Sequence, residues 1–280
     1  MRLLINDNEL DVDVQGDPDA DVLIALHGGP GVGDRADLTD AFAAFADAYR
    51  VITYDARGSG ASGDAPPFSH EQWTADVDAL RAWAGVEQVV VAGHSYGGMV
   101  ALEYVTRYPD RVRALILVDT AAADTFKENS RKRAQESDRV DLDMELFDRL
   151  WTGQVRDDAE FREGWRSLLP LYNVIEDPEL VETIVNGTSY HYQTHNYAFG
   201  VNLPDYDLTT KLPTIECPTL VTVGRYDWIT PVAESEKIAA AVPGAQLVVF
   251  GNSGHGPLHE ERALWVGNVR AFLAATAAAG

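Results

Sequence analysis

The sequence predicts an α/β fold: a mostly parallel central sheet with helices on both faces, interrupted by an inserted helical segment. Three observations carry this. Short continuous apolar runs alternate with helical stretches in the first half of the chain. The alternation stops between about Ala122 and Leu212, and it resumes after Pro218. Continuous apolar strands separated by helices are the mark of a parallel sheet covered on both sides.

The elements follow in order. Leu10 to Val14 alternates apolar and acidic residues, as a strand near a solvent-facing edge does. Val22 to Leu26 is a continuous apolar run, stopped by His27-Gly28-Gly29-Pro30-Gly31. Val51 to Tyr54 is a second run, closed by Asp55-Ala56-Arg57-Gly58-Ser59-Gly60. A helix is predicted from Glu71 to Trp83, with Ser69 as N-cap and Gln72 three residues on. Val89 to Ala92 and Leu115 to Val118 are further strands. Met144, Phe147, Leu150 and Trp151 share one face of a helix. Thr219 to Val223 and Leu247 to Phe250 are strands, Glu234 to Ala241 a helix, and Leu258 to Ala275 a final helix. No ordinary loop is as long as the middle segment. Residues 1–121 and 213–280 are therefore read as one core, and 122–212 as a helical cap inserted into it. Trp73, Trp83 and Trp265 are expected in the core, and Trp151, Trp165 and Trp228 near a pocket or in helix packing.

Composition narrows the function. The chain has 280 residues and a formal charge of −22, which repels nucleic acid and anionic membranes. No apolar stretch reaches the roughly 18 residues of a membrane span. The single cysteine, Cys217, rules out an intramolecular disulfide and fits a reducing compartment; it reads as a buried structural thiol. The expectation is a soluble, cytoplasmic protein acting on a small molecule or short peptide. Lysine is confined to Lys127, Lys132, Lys211 and Lys237. This suits either a high-salt source, where screening relieves self-repulsion, or a genome biased toward Ala, Asp and Arg. Stability measured from low to molar KCl separates the two.

The chemistry is carried by Gly93-His94-Ser95-Tyr96-Gly97, between a strand and a helix. That is the setting of a G-x-S-x-G nucleophile elbow. A sharp turn lifts the Ser95 hydroxyl above the strand end, and Gly93 and Gly97 omit the Cβ atoms that would crowd it. A serine hydroxyl is a weak nucleophile without a base. Gly254-His255-Gly256 supplies one after the strand ending at Phe250, and Asp227 follows the strand ending at Val223. All three stand beyond the carboxyl ends of parallel strands, where sites in such sheets form. The order Ser95, Asp227, His255 is that of a serine hydrolase triad on an α/β-hydrolase sheet. The N–H groups of Gly29 and Tyr96 are assigned to the oxyanion hole. A phosphate-loop reading of the glycines lacks the required strings. His191 and His195, and His255 and His259, are spaced for metal on a helix, but no third ligand accompanies either pair, so no metal and no cofactor is expected.

The His27–Gly31 string, the Asp55–Gly60 string and the elbow together resemble the proline iminopeptidases and their relatives among the tricorn-interacting aminopeptidases, a group of α/β hydrolases. The resemblance spans nearly the whole chain, most clearly 22–118 and 213–275. It implies a helical cap over the active site and removal of an N-terminal residue, often proline, from small peptides. The chain departs from the pattern at Ala56, where the family usually has glutamine, and at Tyr96, where many members have tryptophan. The family also holds the substrate's amine with cap glutamates, whereas no glutamate occurs between Glu182 and Glu216. Glu176 and Glu179 are the remaining candidates. A carboxylesterase or lactonase acting on small neutral esters is the alternative to an aminopeptidase.

Overall fold

In the computed structural model, which describes residues 1–175 and 177–279, eight strands join in one sheet. They are β1 (Arg2–Ile5), β2 (Asn8–Gln15), β3 (Val22–Leu26), β4 (Arg50–Tyr54), β5 (Val89–His94), β6 (Val112–Val118), β7 (Thr219–Gly224) and β8 (Gln246–Phe250). Their spatial order is β1-β2-β4-β3-β5-β6-β7-β8. β1 and β2 pair antiparallel with each other, and β2 pairs antiparallel with β4; every later pairing is parallel. The alternating run at Leu10 to Val14 buries Leu10 and Val12 fully, but the edge itself is β1, whose four residues were not anticipated as a strand.

The continuous apolar strands feed two cores, one on each face. Val22, Ile24 and Leu26 of β3 enter one, and Leu23 and Ala25 the other, as the two-residue period requires. α2 (His70–Ala84) and α3 (Tyr96–Arg107) cover the first face; Ser69 caps α2 by accepting the Gln72 N–H at 3.2 Å. α1 (Ala36–Phe42) and the C-terminal helix cover the second, where Trp265 meets Phe42 and Phe45 edge-on at 5.3 and 5.8 Å. α1 escaped sequence reading because it has only seven residues and an arginine, Arg35, at its N-cap that makes no side-chain cap.

Between β6 and β7 lie α4 (Phe126–Glu136), α5 (Met144–Trp151), α6 (Asp158–Leu168), α7 (Pro178–Gly187) and α8 (Tyr192–Tyr197). Asp143, Asp157 and Asp177 each cap the next helix by accepting N–H groups of its first turn. α9 (Val232–Ala241) follows β7.

Two expectations need correction. The terminal helix is two helices, α10 (Pro257–Glu260) and α11 (Arg262–Ala279). Glu261 breaks them because its carboxylate turns back to accept the Asn252 N–H at 2.8 Å and the Ser253 hydroxyl at 2.7 Å. Trp83 is not a core residue: it is 37 % exposed and shielded by the Arg50 guanidinium, 5.2 Å from its ring.

Candidate active site

The sharp turn at Ser95 is the clearest local feature. Ser95 has φ 55 and ψ −123, a conformation that side chains other than glycine's rarely accept. The neighbourhood holds it there. Ser95 N–H donates to Val118 O at 2.9 Å, and Ser95 O accepts from Gly98 N at 2.9 Å and Thr120 Oγ1 at 2.7 Å. A Cβ on Gly93 would stand 2.4 Å from Gly97 O, and one on Gly97 2.3 Å from Leu26 O. The glycines of the elbow are thus fixed by backbone approach, and Gly97 packs directly on the end of β3. Ser95 is half-buried, so its hydroxyl is reachable.

The loop after β3 lies against the serine. A Cβ on Gly28 would sit 2.7 Å from Ser95 Cβ. Gly29 has φ 59, and its carbonyl accepts the Val32 N–H at 2.9 Å. Tyr96 is the first residue of α3, so its N–H has no acceptor within the helix. His27 is locked by a contact of its Nδ1 with Gly28 O at 2.7 Å and by the Ala56 N–H on its Nε2 at 2.9 Å. A cavity of about 20 Å³ opens beside this loop, lined by His27, Gly28, Pro30, Ala56 and Tyr96 among others.

Asp227 and His255 meet at the ends of β7 and β8. His255 Nδ1 lies 2.9 Å from Asp227 Oδ2, both residues being buried. The other donors to Asp227 are Ile229 N at 2.8 Å and Thr230 N at 3.1 Å on Oδ1, and Thr230 Oγ1 at 2.8 Å on Oδ2. Burial works to raise the Asp227 pKa, but the adjacent imidazole and the Thr230 donors outweigh it and hold the carboxyl below its ordinary value. His255 Nε2 is buried and has no hydrogen-bond partner among the described residues. The Nδ1–Asp227 pairing therefore leaves Nε2 as the ring's free nitrogen.

His94, beside Ser95 in the chain, joins the serine turn to this pair. Its Nε2 lies 2.9 Å from His255 O, and the two rings are 5.0 Å apart. Burial and the nearby His255 push His94 down to about 3, so it stays neutral and donates that bond. Tyr172 O accepts the His255 N–H at 2.7 Å. Glu260 then clamps the two segments together, accepting Val174 N–H on one oxygen and Gly254 N–H on the other.

A run of ring contacts leads from the serine turn to the histidine. Tyr96 stacks on Phe199 at 6.4 Å; Phe199, Trp151, Trp228 and Tyr172 follow at 5.8, 5.6 and 5.7 Å; Tyr172 meets His255 edge-on at 5.3 Å. Trp151 and Trp228 belong to this arch, while Trp165 packs behind it on Tyr172 at 4.9 Å. The indole N–H of Trp228 is buried without a partner among the described residues.

The first of the two histidine pairs spaced for metal, His191 and His195, is otherwise occupied. His191 Nε2 faces Gly60 O at 3.1 Å, and His195 Nε2 faces Leu150 O at 3.0 Å. Among the described residues, Asp119, Asp227 and His255 form a group compact enough for an ion. Four donors already fill the lone-pair directions of Asp227, so this group does not suit a cation. Cys217 is half-buried, and burial pushes its thiol up to about 11, which suits a packed rather than a reactive thiol. Glu179 is exposed, and Glu176 lies outside the described residues.

Asp119, His94 and Tyr172 were not singled out from sequence. Asp119 had the same signal as Asp227, an acid just beyond a buried strand. Tyr172 had none, because only the folded chain brings it to His255.

Comparison with known proteins agrees with this architecture. The family model described as alpha/beta hydrolase fold matches residues 21–262. Proline iminopeptidase PfmaB of Pestalotiopsis fici is 33 % identical over 273 residues, covering 96 % of this chain and 97 % of its own. The proline iminopeptidase of Saccharolobus solfataricus is 29 % identical, covering 90 % and 84 %. Among solved structures, the enol-lactonase of Burkholderia xenovorans LB400 superposes with a TM-score of 0.79 at 21 % identity, covering 98 % of this chain and all of its own. A thermophilic esterase from Thermogutta terrifontis superposes with a TM-score of 0.73 at 27 % identity, covering 99 % and 98 %. Among the described residues no helix is long and apolar enough to cross a membrane. The chain is a hydrolase that belongs to the α/β-hydrolase family and is proline iminopeptidase-like in sequence.

Proposed function

We propose that the protein hydrolyses small esters or lactones through an acyl-enzyme on Ser95, with His255 as general base and acid and Asp227 as its orienting carboxylate. The observation that carries the mechanism is the His255–Asp227 pair, whose remaining ring nitrogen has no partner among the described residues and which His94 ties to the strained, glycine-flanked turn at Ser95. In this reading Ser95 Oγ attacks the substrate carbonyl and passes its proton to His255 Nε2. Asp227 fixes the tautomer and stabilises the imidazolium. The N–H groups of Gly29 and Tyr96 receive the oxyanion. His255 returns the proton to the leaving oxygen, and water then repeats the sequence on the acyl group. Residues 122–212 serve as the cap, and their aromatic residues supply the wall of the substrate site.

The preference for a neutral acyl substrate rests on charge. A bound ammonium needs a carboxylate once water is excluded. Among the described residues of 122–212, every aspartate and glutamate is exposed except Asp124 and Glu160, which are half-buried. Glu160 is paired with Arg149 and Arg156. The charge beside the aromatic arch is instead Lys127, with Nζ 5.8 Å from the Phe199 ring. Burial lowers the Lys127 pKa against the pull of Asp124, the mark of a desolvated cation that repels another.

The second reading, an aminopeptidase of the proline iminopeptidase type, is favoured by the relatives of that name and by the His27–Gly31 string. Rates on proline p-nitroanilide and p-nitrophenyl butyrate, with Ser95→Ala as control, decide between them. Ester cleavage at least about 100-fold faster, lost with Ser95, is expected. Efficient anilide cleavage would reverse the order.

A further inference from the structure

Ser95 and Tyr96 share a peptide whose N–H is one of the two donors assigned to the oxyanion. Gly98 N and Thr120 Oγ1 hold that peptide at its carbonyl, Ser95 O. The Tyr96 side chain holds it from the other end. Its hydroxyl is buried and meets two groups among the described residues. His70 Nε2, on the first residue of α2, lies 2.8 Å away, and Asn202 Nδ2 donates to the hydroxyl at 3.3 Å. The same Nδ2 donates to Phe68 O at 2.9 Å. A carbonyl only accepts, so the amide turns its nitrogen to this side and the Tyr96 oxygen is the acceptor of the second N–H. The Tyr96 proton then goes to His70 Nε2, and His70 Nδ1 faces Glu103 Oε1 at 3.8 Å. His70, Trp73 and Phe199 confine the phenol ring at 5.3, 5.7 and 6.4 Å. Such ring contacts tolerate sliding, and the bonds at the tip remove that freedom.

Asn202 comes from the segment between β6 and β7, 106 residues from Tyr96 along the chain. It closes a single π-helical turn, Ala198–Asn202, a rare geometry that recurs at functional sites. The same stretch of chain also reaches the loop of the other assigned donor. His191 N–H donates to Gly31 O at 2.7 Å, and Ser189 O accepts the Gly33 N–H at 3.3 Å. A Cβ on Gly31 would stand 2.3 Å from His191 O, so the two backbones are in direct contact. Residues 189–202 therefore run from the Gly29 loop to the Tyr96 hydroxyl, with α8 between the two anchors.

We propose that Asn202 is a positioning residue: through the Tyr96 hydroxyl it holds the Tyr96 N–H toward the oxyanion, so that the inserted segment braces the oxyanion hole. The inference rests on the triad and oxyanion reading above. The strained turn at Ser95, with ψ −123, orients the shared peptide, and a strained turn persists only where its surroundings hold it. An oxyanion donor helps only if it is aimed before the charge develops. A misplacement of about 1 Å costs about 10²-fold in rate. Loss of Asn202 removes one of the two bonds at the hydroxyl and leaves His70, so a smaller loss, about 10-fold, is expected.

The test measures two rates in wild type, Asn202→Ala, Asn202→Leu, Tyr96→Phe and the double variant Tyr96→Phe/Asn202→Ala. One is the labelling of Ser95 by an alkyl fluorophosphonate, whose phosphoryl oxygen takes the oxyanion position whatever the natural substrate. The other is the hydrolysis of p-nitrophenyl butyrate, resolved into kcat and KM. Each single variant should lose about 10-fold in labelling and in kcat, with KM within about threefold of wild type. The double variant should match Tyr96→Phe within about twofold, because Asn202 acts through the hydroxyl that Phe lacks. Leu keeps the volume of Asn202 without its N–H, so wild-type rates in Asn202→Leu would reduce the residue to packing and overturn the proposal. A double variant that loses the product of the two singles would overturn it too, as would a loss confined to KM, which marks a substrate contact. Where thermal melting shows that Asn202→Ala does not fold, Asn202→Leu and Tyr96→Phe carry the same comparison. Wild type that is labelled at Ser95 but inert to the ester would remove the ester reading and leave this inference to the labelling rates. No labelling at Ser95 in folded wild type would bring down the triad reading and this inference together.

Discussion

The strand ends of the sheet and the segment between β6 and β7 hold their side chains by different means. At the strand ends polar groups are fixed by backbone. Asp227, Asp119 and Ser95 take hydrogen bonds from or to the main chain, and the glycines beside them admit no Cβ. In α4 to α8 the contacts are aromatic faces within and Arg–carboxylate pairs at the surface, such as Arg149 with Glu145 and Glu160, and Arg166 with Glu163 and Glu182. Backbone hydrogen bonds set positions to tenths of an ångström, whereas stacked rings and exposed ion pairs tolerate sliding. In the proposed reading the first region makes and breaks bonds and the second chooses the substrate. The two are not independent, because Tyr172 O and Val174 N tie the His255 loop to the inserted segment.

The largest effect should come from the first region with no change in fold. Ser95→Ala removes the proposed nucleophile and keeps the Cβ that the strained backbone already carries, so turnover should fall at least about 10⁴-fold while the melting temperature moves by no more than about 2 °C. A large drop in melting temperature would mean that the serine is structural. Next is Gly97→Ala, which drives a methyl against Leu26 O and His27 O. A loss of about 3 kcal/mol or more in urea unfolding is expected, with activity lost in parallel. A stable, active variant would show the elbow to be looser than its contacts imply.

Acid should act in both regions, through His94 at the strand ends and through His195 in the inserted segment. His195 is buried between Phe161 and Phe199, each ring 4.4 Å away, and burial pushes it down to about 4. The unfolded chain gains a proton below its ordinary value of about 6.5, while the folded chain stays neutral. Stability is therefore complete above pH 6.5 and falls as the pH drops toward 4. About 2 kcal/mol should be lost at His195 between pH 7 and pH 5, and His195→Gln should remove that share of the slope and leave the share of His94. An unchanged slope would place the acid sensitivity elsewhere. The smallest effect is expected from Trp228→Phe. It removes an unpaired buried N–H while keeping most of the ring, so stability should hold or rise slightly. A severalfold rise in KM with kcat unchanged would identify the indole as a substrate contact, and an unchanged KM would confine it to packing.

Much of the candidate site was legible because its residues sit at strand ends in a fixed chain order. The apolar runs located β3 to β8, and the small residues around Ser95, Asp227 and His255 marked where each strand stops. Asp119 was equally marked but had no role left to fill, since a triad needs one acid. β1 and α1 were missed because they are four and seven residues long, too short for periodicity to rise above chance. The terminal helix was drawn as one because the turn at Glu261 depends on contacts with Asn252 and Ser253, which no local pattern records.

By itself the sequence determined the alternating sheet, the elbow and the order serine, acid, histidine. These are local properties: periodicity, turn chemistry and position relative to a strand. Tertiary structure alone decided the rest. It set which of two buried acids holds the charge, because that depends on donors counted across β6, β7 and β8. It also brought Phe199, Trp151 and Tyr172 together from separate parts of the chain into one arch, and paired Glu145, Glu160, Glu163 and Glu182 of the inserted segment with arginines. Burial and pairing are sums over neighbours in space, and a chain reveals those neighbours only once it has folded.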